Sequence, residues 1–138
     1  MPKSSLYAIA GGIADALRAT GAFESVTVAP ISSGHQLGAV LEALTRFPAA
    51  AVAISGAEFE EEGLVRSLRV LVIVADRFRR GADARAAGAW SLVEKIELLA
   101  ENGLLSCGIP FTPVQWDAVE MEDLNVCAFA VTLTGAEA

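Results

Sequence analysis

The chain has 138 residues, 54% of them hydrophobic, with 17 acidic and 10 basic side chains, a net charge of -7, one histidine and two cysteines. At this length one domain spanning residues 1–138 is expected, and about two-thirds of the chain's surface can be buried on folding, so a core needs no disulfide or metal staple. A charged fraction of 20% excludes a disordered chain and is too small to cover an ordinary monomer, which directs part of the apolar surplus toward another subunit.

Leu6, Ile9, Ile13 and Leu17 recur every three or four positions and predict a helix over residues 4–20, with Ser4 or Ser5 as N-cap and Gly21 at its stop. Lys3 ahead of the apolar residues 6–14 has the look of a leader, but Asp15 and Arg18 follow too soon and suit an amphipathic helix better. Gly11 and Gly12 weaken that helix and suggest close backbone packing. Residues 23–29 alternate as a strand, with Phe23, Ser25 and Thr27 on one side, and Pro30 closes it. A polar turn over residues 31–35 leads to a short helix over 36–46 and a small-residue strand over 49–54. Residues 57–63, with Glu58, Glu60, Glu61, Glu62 and Gly63, read as a hairpin turn or protruding loop.

The longest strand is expected over residues 64–78. Its centre, Val70 to Val74, is apolar at both parities, so both faces should be covered. Asp83 caps a helix running to about Asn102, whose buried stripe is expected to be Ala86, Ala89, Trp90, Val93, Ile96, Leu99 and Ala100. Two strands over residues 112–119 and 125–134 complete the order. The expectation is an α/β (α+β) fold: a mostly antiparallel sheet of four to five strands with the two long helices on one face.

Chemistry finds little material. His35 sits among Ser32, Ser33 and Gly34 in a turn, where such residues serve backbone geometry, and Ser55-Gly56 lacks the first glycine of a nucleophile elbow. Gly11-Gly12 is no phosphate cradle. Cys107 and Cys127 have neither zinc spacing nor histidine partners and read as reduced, buried residues. Glu94, Glu97 and Glu101 share one helical face but lack a histidine or aspartate one turn away, so they read as a solvated face. No catalytic group, cofactor or metal is expected. The acidic balance argues against nucleic-acid binding, and no apolar stretch reaches the ~20 residues that span a bilayer.

Charge is unevenly placed. Arg77, Arg79, Arg80 and Arg85 form a basic corner, while Glu58, Glu60, Glu61 and Glu62 form an acidic loop. These are the candidate interface residues, suited to head-to-tail pairing in which one patch meets the other on a neighbour.

The segment order resembles the small phage Mu-like tail proteins, a family related to the tail-terminator fold. The likeness covers nearly the whole chain: the opening helix leading to Phe23-Glu24-Ser25-Val26, the strand entry Arg46-Phe47-Pro48-Ala49, the strand over 68–78, the helix centred on Leu92-Val93-Glu94-Lys95-Ile96 and the strand over 126–133. The resemblance implies a structural, non-enzymatic subunit. Such subunits form hexameric rings at the head-proximal end of the tail tube and contact tube and head-completion proteins. It also implies assembly in the cytoplasm of the bacterial host and residence in the virion tail. A cytoplasmic dimeric α/β ligand-binding or regulatory module is the alternative.

Overall fold

In the computed structural model, residues 5–29, 46–77, 82–103, 108–119 and 126–137 are described, and the side chains of 82–87 are not. They form helix α1 (Leu6–Ala19), strands β1 (Ser25–Val28), β2 (Ala49–Glu60) and β3 (Val65–Arg77), helix α2 (Ala82–Glu101), and strands β4 (Thr112–Val119) and β5 (Val126–Glu137). The sheet has the order β1-β2-β3-β5-β4. β1 runs parallel to β2 and every other pair is antiparallel, so the fold is α+β with a mixed, mostly antiparallel sheet. The short helix expected over 36–46 falls outside the described residues except for Arg46, which lies in a bend.

α1 begins where Ser5, in an extended conformation, accepts a hydrogen bond from Ala8 N through its side chain at 3.4 Å. It ends at Thr20, whose hydroxyl donates to the Leu17 carbonyl, and at Gly21 with φ +69°. Its buried stripe, Ile9, Ala10, Ile13, Ala14 and Leu17, packs with Ala89, Leu92, Val93, Ile96 and Ala100 of α2 in one core. The sheet contributes Ala50, Val52, Leu68, Val70, Val72, Val74, Phe129, Val131 and Leu133 to the same core, so both helices lie on one face. The opposite face buries Ala29, Ala51, Ala53, Ile73, Ala75, Val126 and Ala128. The centre of β3 is covered on both sides, as its unbroken apolar run requires.

Several elements depart from the sequence expectation. Phe23 packs on the same side as Val26 and Val28, because it precedes β1 and is not bound by the strand's alternation. Gly11 meets no neighbour: a Cβ built there finds nothing within 4 Å, so close backbone packing is not its role. The acidic stretch is not a free loop. β2 continues through Glu60, with Ala57, Glu58, Phe59 and Glu60 laddered to Leu68, Ser67, Arg66 and Val65 of β3. The alternation of Ala57 and Phe59 with Glu58 and Glu60 is a strand pattern, and only Glu61 to Leu64 make the turn. Glu61, Glu62 and Gly63 all have positive φ, at 53°, 58° and 88°. The two glutamates hold a left-handed conformation that costs about 1 kcal/mol or more each. β5 also runs past Thr134, because Gly135 pairs with Leu68 and the ladder continues to Arg66 and Glu137.

Candidate functional site

The glutamate stretch and Arg77 sit at opposite ends of one strand. β3 is 13 residues long, which at about 3.3 Å per residue sets its ends about 40 Å apart. At one end, Glu58 and Glu60 lie exposed on β2 and Glu61 and Glu62 form the turn. At the other end, exposed Arg77 closes β3 with its guanidinium carbon 5.3 Å from the centre of the Phe47 ring. Arg79 and Arg80 fall outside the described residues, and Arg85 lies in α2 with its side chain outside them. Within one chain the structure keeps Arg77 and the glutamate turn apart, so any pairing between these two ends is between molecules.

The acidic end has its own internal balance. Arg66 Nη2 lies 2.7 Å from Glu137 Oε1 across β3 and β5, with the two side chains only 11% and 14% exposed. Phe59 and Leu64, by contrast, are 65% and 69% exposed beside the glutamates. Arg69 folds its guanidinium over Gly56, where the β2–β3 ladder shifts by a residue.

A second surface escaped the sequence reading. Trp90, expected in the buried stripe of α2, is 49% exposed, and Leu92 is buried in its place. The helix seats on β3 and β5 through Ala89, Leu92, Val93 and Ile96, and Trp90 points about 100° away from the centre of that arc. Trp90, Glu94, Glu97 and Glu101, spaced four, three and four, form the adjoining stripe. Across from it, Trp116 of β4 stacks edge-on against Phe129 at 5.4 Å and remains 43% exposed. Trp90, Val93, Glu94, Glu97 and Trp116 line a cleft of about 420 Å³. The available signal was the position of Trp90 on the glutamate stripe.

β4 is the more open sheet edge. All its residues but Val119 are exposed, Pro113 lies within it, and its register with β5 slips between Pro113 and Gln115.

Cys127 carries a free thiol opposite Asp76 in the ladder. Partial burial, reinforced by the Asp76 carboxylate, pushes its pKa above the ordinary cysteine value. His35 and Cys107 lie outside the described residues. Among the described residues no group of three or more His, Cys, Asp or Glu is placed to hold a metal ion, and no helix is long and apolar enough to cross a membrane.

Compared with protein-family models and with curated protein sequences, the chain matches none.

Proposed function

We propose that this chain is a structural subunit of a phage or prophage tail, a tail terminator or completion protein that forms a ring at the end of the tail tube and contacts head-completion proteins. The reading rests on the family resemblance of the segment order and on a five-stranded, mostly antiparallel sheet carrying both helices on one face.

The observation that carries the subunit role is β4: seven of its eight residues, Thr112 to Ala118, are exposed, and they include Val114 and Trp116 at 58% and 43%. Apolar side chains on an open edge suit a surface meant to be covered by another protein. In this reading Arg77, Arg79, Arg80 and Arg85 at one end, and Glu58, Glu60, Glu61 and Glu62 at the other, are interface charges. The protein works without cofactor, assembles in the cytoplasm of the bacterial host and ends in the virion tail.

Light scattering over a concentration series, with co-sedimentation on tail tubes, tests the proposal. A closed oligomer, a hexamer in the ring reading, that binds tube ends is the expected result. A monomer or dimer at every concentration, with no affinity for tube protein, overturns it, and a dimer redirects attention to the ligand-binding or regulatory alternative.

A further inference from the structure

Both tryptophans of the chain flank a single cleft, about half exposed, with Glu94 and Glu97 on its rim. Tryptophan is the residue type most enriched at the energetic centres of protein contacts, where a large ring loses its remaining water. The complementary surface is therefore apolar or aromatic with cations beside it. On a chain of net charge -7, one segment meets that description: residues 77–85 hold four of the ten basic side chains, with Phe78 and a single acid, Asp83.

Arg77, the end of that segment whose side chain is described, stands away from the cleft of its own chain. Asp76 Oδ2 lies beside Gly88 of α2, on the helix face of the sheet. Arg77, the next residue along the strand, points to the other face, where its guanidinium covers Phe47 of the opposite-face cluster. The cleft opens on the helix face, between α2 and β4.

We infer that the Trp90–Trp116 cleft seats the arginine end of a second copy of this chain. The inference deepens the ring-forming reading and rests on it. The contact joins unlike surfaces, Arg77 with Arg79 and Arg80 on one copy and Glu94 with Glu97 on the next, so each copy keeps one free surface of each kind and the series closes only as a ring. The glutamate turn at the far end of β3 is the rival seat.

The two tryptophans report on the contact directly. Sedimentation of the full chain, read beside tryptophan emission and acrylamide quenching, should show association on concentration with a blue shift and reduced quenching, both reversed by salt. E94R/E97R should weaken association at least about tenfold. Adding R79E/R80E to the same chain should restore it, since both signs are then exchanged, and this restoration rules out misfolding. Association that survives E94R/E97R but is lost on reversing Glu60, Glu61 and Glu62 overturns the cleft as the seat and leaves the ring reading standing. Association with unchanged tryptophan emission does the same. No association at any concentration overturns both.

Discussion

Two glycine-to-alanine substitutions should move stability in opposite directions. Gly135 of β5 is buried, and a Cβ added there would lie 2.7 Å from Phe111 Cδ1 and 2.9 Å from Ile109 Cγ2. Carbon atoms prefer about 3.5–4.0 Å, so the Phe111 ring, itself 4% exposed, must retreat by nearly an ångström into packed surroundings. Overpacking of this kind costs about 1–3 kcal/mol. The smaller unfolded-state entropy of alanine offsets about 0.4–1 kcal/mol of that, which leaves Gly135→Ala less stable by about 1–2 kcal/mol. Gly11, mid-helix in α1, has open space where its Cβ would stand. There the helix propensity of alanine should stabilise by about 0.5–1 kcal/mol. Urea denaturation followed by circular dichroism measures both, as opposite shifts of the midpoint at constant slope. Phe111→Leu added to Gly135→Ala should recover part of the loss, because the two residues share one space. A Gly135→Ala protein as stable as the parent would refute the packing of Phe111 on β5, and a destabilised Gly11→Ala protein would show that α1 has a close neighbour there.

Breaking the Arg66–Glu137 pair with Glu137→Ala should cost about 1.5–3 kcal/mol, since it leaves a guanidinium 11% exposed without that carboxylate. Asp15→Ala, which breaks the open Asp15–Arg18 pair of α1, should cost under about 1 kcal/mol. Equal losses in the two denaturation curves would contradict the burial of the first pair. At Cys127 the raised pKa keeps the thiol neutral while an unfolded chain already ionises. Its contribution to stability is complete below about pH 8.5 and is lost as pH rises through the folded pKa. In a Cys107→Ser background, the alkylation rate of Cys127 should therefore reach half its plateau above the pH seen for a cysteine peptide. A midpoint at or below the peptide's would contradict the burial.

Local pattern carried the elements that bury one stripe or one run. Leu6, Ile9, Ile13 and Leu17 marked α1, and the apolar centre of β3 correctly announced cover on both faces. What escaped was set by partners distant in sequence. The strand character of Ala57 to Glu60 depends on β3 supplying a ladder, and the high charge there read as solvent. Parallel pairing of β1 with β2 joins Ser25 to Ala49 across a long connection that no local spacing encodes. Trp90 stands at the margin of the helical stripe, and its exposure follows from α2 seating through Ala89, Leu92, Val93 and Ile96. The charged candidates, and their places at the two ends of the strand expected over 64–78, were legible; the pairing of Glu58 and Glu60 with β3 was not.

The Arg18 guanidinium, which holds Asp15 on its own helix, also donates to the Val26 carbonyl at 2.9 Å. Ser25 and Ala29 give their N–H groups to Pro48 and Val52, so the intervening Val26 carbonyl faces outward from β1. A strand arriving there must first displace a charged hydrogen bond, whereas none guards β4 among the described contacts. Among the described residues, the sheet thus has one guarded edge and one open edge. A strand from another protein therefore adds more readily along β4 than along β1, where it must first break the Arg18 hydrogen bond.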